Sequence, residues 1–230
     1  MNIPTAAMSV RTLFRAVFSA PTYHRFLILV LAAILTTGRR TVTNLRRTVQ
    51  YQMQGHVSSY HRVFSQRRWS PWALARVLIT YLLDHVVPPG PVVLAGDDTV
   101  TEHPGPKVFG KGRHRDGVGS THSYTAYRWG HKGVVISLLV KWPFSTRPWA
   151  LPILVALYRP PKWDRLHGRR HKTPAPLARL LLARLMRWFP PHHFIFVGDS
   201  GYGTSETARF CRRHRRSLTL VSTCYGDAAL

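Results

Sequence analysis

Two short apolar runs, each followed directly by aspartate, constrain the fold of this chain more than any other feature. The sequence "PVVLAGDDT" covers residues 91–99, and "HFIFVGDSG" covers residues 193–201. Runs of this length bounded by turn residues are typical of buried strands. In open α/β sheets, reactive groups collect outside the carboxyl ends of the strands. The pattern therefore predicts two neighbouring strands that end at Asp98 and Asp199, with both carboxylates at one edge of a sheet.

These carboxylates need an explanation because acids are scarce in the chain. Its 33 Lys and Arg residues outnumber 9 Asp and Glu, which gives a formal net charge of +24. Most of the basic residues are arginine, whose planar guanidinium suits phosphate oxygens. This charge indicates a polyanionic partner, and we expect nucleic acid ahead of an anionic membrane. A structural nucleoid or ribosomal binder would also explain the charge, but not the two strand-end aspartates.

The hydrophobic period changes at "VPPGP", residues 87–91. Upstream, the pattern predicts helices over residues 21–38, 39–55 and 58–86, with Ser70 and Pro71 at a helix start. Downstream, it predicts three strands and then helix, strand, helix, strand, which is a mixed α/β order. We therefore expect a helical DNA-binding region over residues 1–88 and an α/β domain over residues 89–230.

Several elements of the second domain can be predicted from local patterns. "HSYTAYRWGHKGVVISLLVKWPF" predicts two antiparallel strands around a turn at residues 130–133. A long connection follows, with a helix over residues 176–189 whose apolar face is Leu177, Leu180, Leu181, Leu185 and Trp188. The next helix covers residues 204–214, with Thr204 or Ser205 as its N-cap, between strands at residues 193–197 and 217–223.

Neither the membrane nor the secretory pathway is indicated. The most apolar run, "FLILVLAAIL", has ten residues, whereas a bilayer needs about 20. Arginines precede it, as in a signal peptide, but no small-residue cleavage pattern follows, so we expect a buried helix. Two cysteines, Cys211 and Cys224, make no disulfide framework and fit a reducing cytosol. Cys211 and His214 lack the second spaced pair that a zinc site needs.

Paired carboxylates in a cationic protein are suited to hold Mg²⁺, which prefers oxygen ligands. Two such ions can clamp the attacking and leaving oxygens of a phosphodiester. A structural alternative stays open, because Asp97 and Asp98 before Thr99, and Asp199 before Ser200, also fit capping or Asx turns. The segment "GDSG" does not fit a chymotrypsin-like protease, because a predicted helix follows it directly and no cysteine-bracketed His lies upstream. A G-x-S-x-G elbow would need glycine where Tyr202 stands.

Basic residues of the second predicted helix, of a glycine-rich loop and at Lys132 are candidates for DNA binding. The helices at residues 21–38 and 39–55 resemble a helix-turn-helix, although any pair of antiparallel helices can show this pattern. A glycine-rich basic loop, residues 105–119, fits no phosphate-binding fingerprint and is interpreted as facing DNA. The predicted DNA-binding residues are Arg39, Arg40, Arg46, Arg47, Lys107, Lys111, Arg113, Arg115 and Lys132.

Four segments together resemble the DDE-type transposases of bacterial insertion sequences, which belong to the RNase H-like superfamily. They cover residues 94–114, 127–159, 171–189 and 194–214, and include "LAGDDTVTEH" and "FIFVGDSGYGTSETARF". Residues 58–76 also resemble the helical segment that precedes the catalytic domain in that family. The resemblance implies an RNase H-like mixed sheet with flanking helices, preceded by an all-helical N-terminal region.

The same resemblance implies the site and its partners. The first metal-binding Asp of the family stands just before a Thr and corresponds to Asp98, with Asp97 as a neighbour. The second ends the fourth strand and corresponds to Asp199. Both would hold Mg²⁺ or Mn²⁺, cut double-stranded DNA at transposon ends and join it to target DNA. A bacterial cytoplasmic, nucleoid-associated protein that forms a homo-oligomer in its active assembly is implied.

One departure from the family concerns its third acid, a Glu on a helix after the fifth strand. This chain ends at Leu230 soon after that strand, and we assign neither Glu102, Glu206 nor Asp227 to the role. We therefore expect a C-terminally truncated transposase whose catalytic domain is incomplete, with the activity of the chain left open. The alternative is a non-catalytic DNA-binding protein that occupies transposon ends or regulates a full-length transposase.

Overall fold

A computed structural model of the protein describes residues 12–103, 105, 108–117 and 119–223. The chain divides into two compact units, Met1–Asp84 and His85–Leu230. Each unit has its own arrangement of elements and its own buried residues.

The described part of the first unit consists of helices and the segments that connect them. Its helices are α1 (Ala20–Leu35), α2 (Val42–Thr48), α3 (Ser58–Ser65) and α4 (Pro71–His85), with 3₁₀ turns at Phe14–Val17 and Gln50–Gln52. The predicted helix at residues 26–35 lies within α1, but it is buried on one face only, since Val30, Ile34 and Leu35 are exposed. Its residues pack with α2 and α3 in one core, formed by Ile28, Leu29, Ala32, Leu45, Val49, Tyr60 and Val63.

Two helix predictions in this unit are wrong in extent. Residues 58–86 form two helices, because the indole Nε1 of Trp69 donates to the Val63 carbonyl (2.7 Å) and holds a break between α3 and α4. Ser70 does cap α4, as predicted, since its Oγ accepts from the Ala73 amide (3.3 Å). The second helix ends at Thr48 and not at Gly55, because Val49 leaves the helical region (φ −127°, ψ 31°).

None of the helices in the described ranges is sufficiently long and apolar to cross a membrane.

The second unit contains a six-stranded mixed sheet with helices. Its strands are β1 (Val92–Glu102), β2 (Gly112–Arg115), β3 (Tyr127–Val140), β4 (Trp149–Tyr158), β5 (Phe194–Gly198) and β6 (Leu218–Ser222). Its helices are α5 (Pro161–Leu166), α6 (Pro174–Trp188) and α7 (Ser205–Arg213).

The sheet contains both antiparallel and parallel strand pairs. β3 pairs antiparallel with β1, β2 and β4, whereas β1–β5 and β5–β6 are parallel pairs. Apart from the short β2, the order across the sheet is β4-β3-β1-β5-β6. The prediction of a mixed sheet with flanking helices, preceded by a helical region, is therefore confirmed.

One face of this sheet is buried. Side chains alternate between the two faces of a strand, and the buried face carries Leu94, Val134, Ile136, Leu138, Phe194 and Phe196. Helix α6 packs on β3 and β4 and contributes Ala175, Ala178, Leu181, Leu182 and Leu185. The predicted apolar face of α6 is partly wrong, since Leu180 is 53% exposed.

The middle of the sheet corrects three strand predictions. β1 does not end at Asp98 but continues to Glu102, because residues 99–102 pair with residues 130–133 of β3. Residues 130–133 are therefore part of a strand and not a turn. A side chain at Gly130 would overlap the Thr101 carbonyl, so glycine here permits close strand contact. Residues 149–158, predicted to lie in a connection, form β4.

Candidate active site

The parallel pairing of β1 with β5 brings the two predicted metal-binding aspartates to adjacent strands. Gly96 is the register partner of Gly198. Asp98 lies two residues beyond Gly96, and Asp199 directly follows Gly198. Asp199 therefore ends its strand as predicted, whereas Asp98 lies inside β1. The two carboxylates come from distant parts of the sequence and share one region of the sheet.

Alternation along β1 separates Asp98 from its neighbour Asp97. Asp98 shares the face of Leu94 and Gly96, which is the buried face, and is half-buried. Asp97 points to the opposite face and is exposed, and its Oδ1 accepts from the Asp98 amide (2.7 Å). Asp98 therefore has the more enclosed carboxylate.

Asp98 has a cationic partner on the next strand. The Nζ of Lys132 lies 2.8 Å from Asp98 Oδ2, and the Lys132 side chain is 20% exposed. The same ammonium lies 5.9 Å from the ring centroid of Tyr158. Lys132 was predicted to bind DNA, but in this structure its charge is directed to Asp98.

A tight turn fixes Asp199. Its Oδ1 accepts from the Gly201 amide (3.0 Å), which is an Asx turn. Its carbonyl accepts from the Ser222 hydroxyl (2.8 Å) and the Tyr202 amide (3.0 Å). The turn that was the structural alternative is thus present, and it also orients the carboxylate.

Tyr202 is a residue of this region that sequence reasoning missed. Its side chain is 3% exposed, and its hydroxyl has no hydrogen-bond partner among the residues described. A Cβ on Gly198 would lie 2.8 Å from Tyr202 Cβ, so the glycine makes room for this side chain. Burial, and then the charges of Asp98, Asp199 and Asp97, raise the pKa of Tyr202. The hydroxyl therefore stays protonated beside the carboxylates.

His114 is a second buried polar residue that was missed. It lies on β2, is 5% exposed, and its Nε2 has no partner within the described segments. Burial lowers the pKa of His114, and the charge of Lys132 lowers it further. A neutral imidazole therefore lies near the Lys132–Asp98 pair. From the sequence, His114 was predicted only to lie in the glycine-rich basic loop of residues 105–119, with no role of its own.

The oxygen donors of Asp98 and Asp199 are of the kind that Mg²⁺ prefers. Within residues 12–103, 105, 108–117 and 119–223, no three His, Cys, Asp or Glu side chains form a metal-binding group. Glu102 pairs with Arg128 (3.6 Å) and Glu206 with Arg179 (3.2 Å), so each has an arginine partner. Asp227 and Cys224 lie outside the described residues. The donor chemistry fits a divalent ion with two protein carboxylates.

The four arginines predicted to bind DNA in the first unit are exposed, namely Arg39, Arg40, Arg46 and Arg47. Arg46 and Arg47 follow the buried Leu45 on α2. The Nε of Arg40 donates to the Ala33 carbonyl (2.9 Å), so that side chain also helps to close α1.

The candidates of the glycine-rich loop are less uniform. Lys111 Nζ donates to the Gly105 carbonyl (2.9 Å) and is turned to its own loop. Arg113 stacks on Tyr127, 3.9 Å from the ring centroid, and remains exposed with Arg115 on β2. Lys107 lies outside the described residues.

A protein family and a solved structure are similar to this chain. A family model described as DDE superfamily endonuclease matches residues 13–230. A piggyBac transposase, solved by cryo-electron microscopy in a synaptic complex with hairpin DNA, is similar with 12% identity and a TM-score of 0.41. The match covers 91% of this chain and 42% of that one, so this chain spans less than half the length of that protein. No curated protein matches the sequence.

Proposed function

The chain belongs to the DDE superfamily endonuclease family, and from this premise we propose that it is a transposase of a bacterial insertion sequence. Its substrate is double-stranded DNA at the transposon ends, and its reaction is strand cleavage followed by strand transfer to target DNA. The observation that carries the proposal is the β1–β5 register, which sets Asp98 and Asp199 on adjacent strands.

In this proposal Asp98 and Asp199 hold Mg²⁺ or Mn²⁺. When bound, the ion supplies Lewis-acid stabilisation of the phosphodiester and a water of lowered pKa. The Asx turn keeps the Asp199 carboxylate in one orientation, because its Oδ1 accepts from the Gly201 amide. The Ser222 hydroxyl holds the backbone of the same residue by donating to its carbonyl. Lys132 offsets part of the negative charge at Asp98. Tyr202 offers a buried hydroxyl donor near both acids.

The net charge of +24 supports DNA as the partner. In this proposal the exposed arginines of α2 and β2 contact the phosphate backbone of DNA, outside the candidate active site. The proposal places the protein in the bacterial cytoplasm, associated with the nucleoid, and assigns a homo-oligomer to the active assembly. Sedimentation with and without DNA tests the last point.

A second function is favoured by the Lys132–Asp98 ion pair. An ammonium at 2.8 Å already compensates the Asp98 charge, and the described residues offer two carboxylates and not a group of three. Both features suit a non-catalytic DNA-binding protein that occupies transposon ends or regulates a longer transposase.

A cleavage assay separates the two functions. The substrate is a duplex that carries the DNA flanking the coding sequence, incubated with Mg²⁺ or Mn²⁺. The proteins are the wild type, Asp98→Asn, Asp199→Asn and the control Asp84→Asn, which alters an exposed acid in the first unit. Cleavage by the wild type and control, and its loss in the two site variants, supports the transposase. Duplex binding without cleavage in either metal supports the non-catalytic function.

A further inference from the structure

A strongly basic groove lies in the second unit, apart from the loop and helix residues predicted to bind DNA. It has a volume of about 1460 Å³ and is open to solvent. Seven arginines, one lysine and two histidines line it, against one glutamate. The charged and histidine residues are Arg170, His171, Lys172, Arg179, Glu206, Arg209, Arg212, Arg213, His214, Arg215 and Arg216.

Helix α7 forms one wall of this groove. Its Thr207 and Cys211 are buried, whereas Arg209, Arg212 and Arg213 follow the i, i+3, i+4 spacing of a single helix face and are exposed. Arg215 and Arg216 continue the basic surface beyond the end of the helix. The helix thus has a packed side and a cationic side.

Helix α6 forms a second wall of the groove, and its Arg179 is hydrogen-bonded to α7. Its Nη1 donates to Thr207 Oγ1 (3.1 Å) and its Nη2 to Glu206 Oε2 (3.2 Å). The single glutamate of the groove is therefore already paired, and it compensates Arg179 and not the arginines of α7. These contacts fix the separation of α6 and α7.

Asp164 of α5 anchors the remaining wall. Its side chain is 2% exposed, and it accepts from Arg159 Nε (2.7 Å) and His171 Nδ1 (3.1 Å). Its carbonyl accepts from the Arg169 amide (2.8 Å). The segment that carries Arg170 and Lys172 is consequently held in place before any ligand arrives.

Most cations of the groove lack an acidic partner. Within the described part of the chain, no ion pair is formed by Arg170, Lys172, Arg209, Arg212, Arg213, Arg215 or Arg216. Like charges this close repel one another, and a polyanion relieves that repulsion. The fixed walls reduce the ordering cost of binding one.

We propose that this groove binds the phosphate backbone of double-stranded DNA. Guanidinium groups bind phosphate oxygens in a bidentate manner. The nine residues of α7 extend over about 13 Å, a length over which duplex DNA presents about eight phosphate charges. The choice of duplex DNA as the polyanion rests on the proposed function. Helix α7 begins six residues after Asp199, so DNA along it leads to the candidate active site.

The test measures duplex DNA binding by fluorescence anisotropy, in EDTA, between about 50 and 200 mM salt. The groove variant is Arg209→Gln/Arg212→Gln/Arg213→Gln. The control, Lys162→Gln/Arg165→Gln/Arg187→Gln, removes the same charge from exposed positions outside the groove lining. Affinity falls as salt rises, so the slope of log affinity against log salt is negative. The groove variant should make this slope less steep by up to about 2.7, at about 0.9 per phosphate contact. The control should retain the wild-type slope.

Further arms decide the outcome. A matched Arg→Lys triple, which keeps the charge, should recover much of the slope, and circular dichroism verifies that each variant is folded. Equal slopes for groove and control variants overturn the proposal, as does single-stranded RNA that displaces duplex DNA at equal phosphate concentration. Binding is measured in EDTA and cleavage in the separate assay with Mg²⁺ or Mn²⁺. A wild type that binds DNA through the groove in EDTA but does not cleave it in the metal assay therefore contradicts the proposed catalysis and leaves the groove standing. A wild type that cleaves DNA, together with a groove variant whose salt slope equals that of the wild type, supports the proposed catalysis and overturns the groove.

Discussion

The Nζ of Lys132 lies 2.8 Å from Asp98 Oδ2, across the ladder that joins β3 to β1. A cation of the protein itself is thus placed where a divalent ion would share the carboxylate. Lys132→Met should raise the affinity for Mn²⁺ roughly fivefold, because removal of a partly exposed like charge is worth about 1 kcal/mol. Titration followed by electron paramagnetic resonance measures this, with Lys162→Met as the control. Unchanged or weaker Mn²⁺ binding in Lys132→Met would contradict it.

The faces of β1 predict unequal roles for two adjacent acids. Asp98→Asn and Asp199→Asn should each weaken Mg²⁺ or Mn²⁺ binding at least tenfold, since each removes one of two carboxylate ligands. Asp97→Asn should change it much less, because Asp97 points to the opposite face of the sheet. Calorimetric titration of the three variants tests this order. If both Asp98→Asn and Asp199→Asn bind metal as the wild type does, these acids are structural.

The Tyr202 hydroxyl, which is buried and has no hydrogen-bond partner among the described residues, predicts a contrast between two variants. Tyr202→Phe should leave the free energy of unfolding unchanged or raise it by up to about 1 kcal/mol, because it removes a buried polar group that lacks a partner in the described residues. Tyr202→Ala should lower it by about 3 to 5 kcal/mol through loss of packing against Phe196. Urea unfolding monitored by fluorescence measures both. A large loss in Tyr202→Phe would reveal a hydrogen bond to the hydroxyl.

The buried imidazole of His114 predicts a dependence of stability on pH. Burial lowers its pKa below the ordinary value of 6.5 in the folded state. Between the two pKa values the unfolded chain binds a proton that the folded protein does not, so stability rises with pH there. The contribution of His114 to the free energy of unfolding is therefore complete above about pH 6.5, and it is lost as the pH falls towards the pKa of the folded state. In urea unfolding across this range, His114→Gln should show a shallower slope than the wild type. Equal slopes would mean that His114 does not titrate differently on folding.

Local sequence patterns were sufficient for several parts of this structure. The run that precedes Asp199 forms β5, and Thr204 caps α7 by accepting from the Thr207 amide (3.2 Å). Both depend on residues that are close in the sequence. The order α6-β5-α7-β6 could be predicted for the same reason, because the hydrophobic period distinguishes strand from helix within a short window.

Features that depend on distant contacts were misread or missed. Glycines at positions 130 and 133 are typical of a turn. They belong to a strand because they pair with the end of β1, which is distant in the sequence. β4 contains Pro152, a residue that argues against a strand; it pairs with Ser137 next to a register irregularity in β3. The ion pair of Lys132 with Asp98 and the second wall of the basic groove likewise arise only when separate elements meet.

The β1–β5 register also sets the order of events when the chain is made. Gly96 cannot pair with Gly198 until 102 further residues have been synthesised. At about 5 to 20 residues per second, β1 waits roughly 5 to 20 s for its parallel neighbour. During that interval the antiparallel partner β3, which is nearer in sequence, can pair with β1 first. The pairing that unites the two aspartates is therefore a late step of folding, and a ribosome that stalls before residue 198 releases a chain with half of the site.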